Sequence, residues 1–215
     1  MMKRAKNLSR GVIGIDEVGR GPLAGPITVC AFYIEDEKEV RKSIFENTIR
    51  DSKKLKKDNR LNIYKIIRKK RKLKSRIEYA LSSRSAKHID MHGIAASTQA
   101  CVVSCLSQLE KKGVSVANAL IRLDAGLKTG QQSLQEKSFV KGDERFTEIA
   151  LASIMAKVQR DGYMKKLSKM HTEYGWERNA GYGTKEHRDA IKNLGITEYH
   201  RKSYLKNFQP FVKTK

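Results

Sequence analysis

Two β-rich apolar runs, 11–17 and 26–34, stand either side of the turn-forming stretch GRGPLAG, and this pairing constrains the fold most. Glycine and proline punctuation between β-branched runs predicts adjacent strands joined by a tight, structured loop. A third strand is expected over 75–81, a short apolar one over 119–123 and another over 138–141. Apolar residues recurring at helical spacing among charges predict helices over 56–71, 147–170 and 185–194. A further helix is expected from an N-cap at Asp90 to about Lys112, with Gly113 as its stop. Early strands followed by alternating helices and strands define an α/β class with a mixed sheet. At 215 residues the chain is expected to hold a flexible basic tail (1–10), a core (11–170) and a small C-terminal helical part (171–215).

Three of the predicted strands run into acidic residues: Asp16 and Glu17, then Asp124, then Asp143. If the strands are neighbours, four carboxylates gather at one cleft and raise one another's pKa values. Divalent cations would relieve that conflict, because Mg²⁺ takes a few carboxylates together with phosphate oxygens. Two such ions can activate a water and stabilise a leaving oxygen. For any one of these residues alone the ordinary reading is a turn-forming Asp. Neighbouring strand residues also point to opposite faces, so Asp16 and Glu17 converge only where the strand ends or is distorted. Gly19 and Gly21 follow immediately.

Lys and Arg total 45 against 23 acidic residues, a net charge of +22, which favours a polyphosphate partner. No basic amphipathic helix with large apolar aromatics points to a membrane surface, and no 18-residue apolar run occurs. Residues 1–10 are basic but no signal-peptide core follows, so a cytoplasmic, reducing setting is expected. Cys30, Cys101 and Cys105 fit neither a disulfide framework nor a zinc site.

The segment 14–26, GIDEVGRGPLAGP, resembles the signature of ribonuclease HII over thirteen consecutive positions. DSKKL at 51–55, KGD at 141–143, ASIMAKVQRD at 152–161, GYGTKEH at 181–187 and HRKS at 200–203 follow in that family's order. The resemblance implies a ribonuclease H-like sheet flanked by helices. It also implies hydrolysis on the 5′ side of ribonucleotides in duplex DNA and in RNA–DNA hybrids, leaving 3′-hydroxyl and 5′-phosphate ends, with Mg²⁺ or Mn²⁺ as cofactor. By the same resemblance Asp16, Glu17, Asp124 and Asp143 are the metal-binding carboxylates, Gly19, Arg20 and Gly21 read the ribose 2′-hydroxyl, and Tyr182 packs against the ribonucleotide. Lys53, Ser153 and Lys157 are expected at the substrate, and a monomer is expected.

Two departures from the family pattern stand out: Ala125 intervenes between Asp124 and Gly126, and Gly183 replaces a proline after Tyr182. The sister ribonuclease HIII class carries Lys at the position of Arg20. Other motifs read more plainly. His88 and His92 lack the glutamate of a zinc helix, and Trp176 reads as core. Ser153 and Lys157 share a helix face as a nucleophile and base would, but Ala150, Ala152 and Ala156 point instead to a helix pressed against the sheet, with Lys157 at an ionic or phosphate contact. The segment 207–212, NFQPFV, is too short to read as a clamp-binding tail. A non-catalytic basic nucleic-acid binder explains the charge but not the acidic strand ends, and a nuclease confined to hybrids is the other alternative.

Overall fold

The computed structural model describes residues 11–40, 57–70 and 77–206, so the tail at 1–10, Lys53 and the segment 207–212 lie outside the described residues. Five strands form one mixed sheet: β1 (Val12–Val18), β2 (Ile27–Ile34), β3 (Ile77–Arg84), β4 (Leu120–Asp124) and β5 (Glu136–Phe139), in the order β3-β2-β1-β4-β5. The first three form an antiparallel meander, while β4 and β5 run parallel to β1. The helices are α1 (Glu37–Val40), α2 (Lys57–Lys70), α3 (Ala86–Lys111), α4 (Thr147–Ser168), α5 (Trp176–Asn179) and α6 (Lys185–Leu194).

Strand β1 lies in the middle of the sheet and is covered on both faces. Ile13 and Ile15 join a core under α3 with Cys101, Cys105, Leu106 and Leu109. On the other face Cys30, Phe32 and Ile34 meet Leu151, Ala152, Met155 and Ala156 of α4, with Ile63 and Ile67 of α2. Burial of apolar surface on both sides provides most of the driving force for this three-layer arrangement.

The small side chains along α4 allow close approach. A Cβ at Gly14 would lie 2.3 Å from the Glu148 carbonyl carbon and 2.4 Å from the Ile149 nitrogen. Gly14→Ala must therefore lift α4 from β1, with an expected loss of about 1–3 kcal/mol. Urea unfolding measures this, and an unchanged midpoint would contradict the contact.

Three expectations need correction. The cap of α3 is Ser85, whose hydroxyl accepts from His88 N at 3.2 Å, not Asp90. Asp90 instead accepts from Lys202 N and Ser203 N, both at 2.9 Å, and from the Ser203 hydroxyl at 2.6 Å. The helix begins before that point and breaks at Gly93 (φ 78°, ψ 162°), so the pattern that read as a start marks an interior kink. Strand β5 is Glu136–Phe139 rather than 138–141, because the ladder with β4 ends at Asp124 opposite Phe139. It is a polar edge strand, so apolar content was the wrong guide there.

The C-terminal residues build a third core in which Trp176, Tyr174, Ile191 and Leu205 enclose Ala24, Met164 and Leu167. This cluster joins the loop after β1 to the far end of α4.

Candidate active site

The parallel register pairs Ile15 with Leu123, and one further step sets Asp16 beside Asp124. Alternation places both on the α4 face of the sheet, where Gly14 and Arg122 also point. Asp16 is nearly buried. Its Oδ1 accepts the Glu17 N–H at 2.8 Å, and Ser153 of α4 hydrogen-bonds its side chain. Desolvation, reinforced by Glu17 and Asp124 and opposed by Ser153, pushes its pKa to about 7.

Burial also raises Glu17, against Arg20, whose Nη1 lies 3.3 Å from Oε1; its Oε2 is buried without a partner. β1 stays in regular register with β2 through Val18, one residue past Glu17, and turns at Gly19 (φ 97°), while its ladder with β4 ends at Ile15.

Asp143 is not at a strand end. It sits in the 3-10 turn Gly142–Glu144, after Lys141 in the left-handed region (φ 54°). That turn is tied to β4, since Gly142 N donates to Asp124 Oδ1 at 2.8 Å. Burial raises Asp143, followed by the charges of Asp124 and Glu144. Asp124 thus acts electrostatically on each of Asp16, Glu17 and Asp143. Among the described residues no three Asp, Glu, His or Cys side chains converge into a ready-made metal cage. Ala125 does not displace Asp124, which remains the last residue of β4. Leu127 N closes a turn onto Asp124 O at 3.3 Å, with Gly126 (φ 85°) in the left-handed position.

The loop after β1 is held from beneath by two arginines that motif reading passed over, although both lie in the quoted blocks at 152–161 and 200–203. Arg160 donates to Pro26 O (2.8 Å), Ala24 O (3.1 Å) and Ala180 O (2.9 Å). Arg201 donates to Gly19 O (2.6 Å), Arg20 O (2.8 Å) and Gly25 O (3.0 and 2.9 Å). The Tyr204 hydroxyl adds a bond to Arg20 O at 2.9 Å. Gly19 is obligatory here, because a Cβ would lie 2.3 Å from Arg160 Nε. The ring of Tyr182 stands half-exposed beside Gly21, and its segment docks on the loop through Leu23 N and Ala24 N to Gly181 O.

Two expected substrate contacts are engaged within the protein. Ser153 turns to Asp16, while Lys157 pairs with Asp161 at 2.9 Å in a cleft of about 540 Å³ shared with Arg60, Tyr64 and Arg178. Those separate partners give no support to a Ser–Lys nucleophile.

Behind Tyr182 lies a buried histidine pair whose protons follow from its partners. Tyr182 O requires a donor, so His187 Nδ1 carries hydrogen (2.9 Å). Its Nε2 then accepts from Trp176 Nε1 and His200 Nε2, both at 3.1 Å. His200 Nδ1 accepts the Thr197 N–H at 2.9 Å. Every ring nitrogen is used, so both rings are neutral, and burial plus the neighbouring His187 lowers His200 from 6.5 to about 3. Unfolding lets His200 take up a proton below its unfolded value. Its contribution to stability is therefore full above about pH 6.5 and shrinks on acidification, by about 2 kcal/mol at pH 5. The stability difference between wild type and His200→Asn should be flat from pH 8 to 6.5 and narrow below. A difference independent of pH would refute this proton arrangement.

The sheet order and acidic ends of the central strands place the protein among ribonuclease H-like α/β folds. The ribonuclease HII of Archaeoglobus fulgidus, solved in complex with PCNA, superposes with a TM-score of 0.67 at 22% identity, covering 97% of this chain and 98% of that one. The ribonuclease H2 of Pyrococcus horikoshii gives 0.65 at 21% identity, over 93% and 99%. Bst-RNase HIII in complex with Mn²⁺ gives 0.67 at 18% identity, over 94% and 72%.

Residues 13–207 match the family model for ribonuclease HII. The ribonuclease HII of Clostridium perfringens is 41% identical over 197 residues, 91% of this chain and 67% of that protein. That of Staphylococcus aureus is 40% identical over 194 residues, 90% and 69%. The chain belongs to the ribonuclease HII family and is a type 2 ribonuclease H endonuclease. No helix among the described residues is long and apolar enough to cross a membrane.

Proposed function

We propose that the chain cuts the phosphodiester on the 5′ side of a ribonucleotide embedded in duplex DNA, and also cuts RNA–DNA hybrids, leaving 3′-hydroxyl and 5′-phosphate ends. The observation that carries this reading is the group of Asp16, Glu17 and Asp143, each raised first by burial and further by the charge of Asp124, beside the glycine loop that follows β1. The residues suit a divalent cation. Glu17 Oε2 is buried and unpartnered, all donors are hard oxygens, and mutual repulsion calls for a counter-charge. Asp16, Glu17, Asp124 and Asp143 would hold it, with phosphate oxygens completing a shell the protein leaves open. When bound, such ions supply an activated water and charge stabilisation for the departing oxygen.

The remaining work falls to this chain's own groups. Ser153 and the Glu17 N–H fix the Asp16 carboxylate, and Arg20 steadies Glu17. Gly21 and Tyr182 line the place where a ribose would lie, glycine admitting the close approach and the ring giving it a flat face. The +22 surplus supplies affinity for the backbone. Mg²⁺ or Mn²⁺, a monomer, a cytoplasmic setting, and removal of misincorporated ribonucleotides and RNA primers complete the reading.

The test is cleavage of a labelled DNA duplex carrying one ribonucleotide, with Mg²⁺, Mn²⁺ or EDTA, beside an all-DNA duplex and a hybrid. A metal-dependent cut 5′ to the ribonucleotide is expected. Cutting of the hybrid alone would remove the ribonucleotide-reading role from Gly19, Arg20, Gly21 and Tyr182.

A further inference from the structure

Arg201 is wholly buried, yet it makes no ion pair with any described carboxylate. A buried cation is costly unless its hydrogen bonds are well satisfied, and here they are spent on carbonyls of a single loop. Arg160 is buried in the same way, so two like charges share the space under this loop.

The choice of carbonyls matters. In a trans peptide the C=O and the following N–H point in opposite directions. Drawing Gly19 O and Arg20 O inward onto Arg201 therefore turns the N–H groups of Arg20 and Gly21 away from the interior. Both residues are exposed, and neither N–H has an acceptor among the described residues. Two successive outward amides are suited to an anion or a hydroxyl, and these lie beside Tyr182 and a few residues from Asp16 and Glu17.

Resting on the reading above, we propose that Arg201 is a positioning residue for ribonucleotide recognition. Its planar fork sets the two peptide planes that aim the Arg20 and Gly21 amides at the substrate. Lysine cannot replace it, since an ammonium is a point donor without a fork able to hold three carbonyls in fixed directions. Tyr204 supports the same plane through Arg20 O.

The experiment compares wild type, Arg201→Lys and Tyr204→Phe on the single-ribonucleotide duplex, with kcat expressed per folded molecule from circular dichroism and with the cut position mapped. Arg201→Lys keeps the charge, so KM should stay within about threefold while kcat falls about 10- to 100-fold and cuts spread from the 5′ position. Tyr204→Phe should lower kcat about threefold with little change in melting temperature. Wild-type kcat and cut position in folded Arg201→Lys, with only its melting temperature reduced, would overturn the proposal by showing a purely structural role. If Arg201→Lys does not fold, Tyr204→Phe decides: unchanged kcat overturns it. A wild-type chain that cuts no ribonucleotide-containing duplex would overturn the functional reading itself, and this inference with it.

Discussion

Asp16→Asn is expected to lose cleavage by about 10³-fold or more while gaining stability. The loss follows from removing one carboxylate of the set that would hold the metal, whose charge stabilisation is worth several kcal/mol in such reactions. The gain follows from Asp16's raised pKa. Its carboxylate ionises at about 7 in the folded protein against an ordinary 3.8, so folding opposes its ionisation across that window. The cost is absent below about pH 4, grows as pH rises and is complete above about 7. Asn avoids it and keeps an acceptor for the Glu17 N–H. A gain of about 1–3 kcal/mol at pH 8 in EDTA, vanishing near pH 4, is expected. Denaturant unfolding at both pH values checks it. Destabilisation at pH 8 would mean that Asp16 is stabilised by its surroundings as an anion, and normal turnover would remove it from the metal site.

Trp176→Ala should cost about 3–5 kcal/mol, the range for truncating a fully buried large aromatic. Trp176 stacks on Tyr174 (5.1 Å, 19°) and meets His171, His187 and His200. Its Nε1 is one of two donors satisfying His187 Nε2, and His187 in turn holds Tyr182 O. The truncation should therefore also raise KM for the ribonucleotide duplex, through Tyr182, more than it changes metal affinity. Trp176→Phe separates the effects by keeping much of the volume and deleting the N–H. Trp176 is the single tryptophan, so its fluorescence reports this core directly in the wild type. A loss below about 1 kcal/mol for Trp176→Ala would show that the third core contributes little to cooperativity.

Much of the architecture was legible locally. Periodicity located β1, β2, α4 and α6 closely, because apolar spacing is set by each element's own geometry. β5 was misplaced because an edge strand such as Glu136–Phe139 has little apolar burial to pattern it. Asp90 misled because a residue suited to capping one helix can equally accept amides from a distant segment, here at Lys202 and Ser203. Of the candidate site, Asp16, Glu17, Asp124, Asp143 and the glycine loop could be picked out by position and motif. The supporting groups could not: Arg160 and Arg201 look like any other members of a chain with 45 basic residues.

By itself the sequence determined the class of fold, the family, the acidic residues at or near strand ends and the surplus of positive charge. These are local or compositional properties, written in spacing and side-chain type. Only the tertiary structure decided that β4 lies beside β1 in the register that sets Asp124 next to Asp16. It alone decided that α4 rests on Gly14, and that two buried cations hold the loop after β1 from below. Such pairings join residues more than a hundred positions apart. Their energy depends on shared burial and hydrogen-bond direction, which no local pattern encodes.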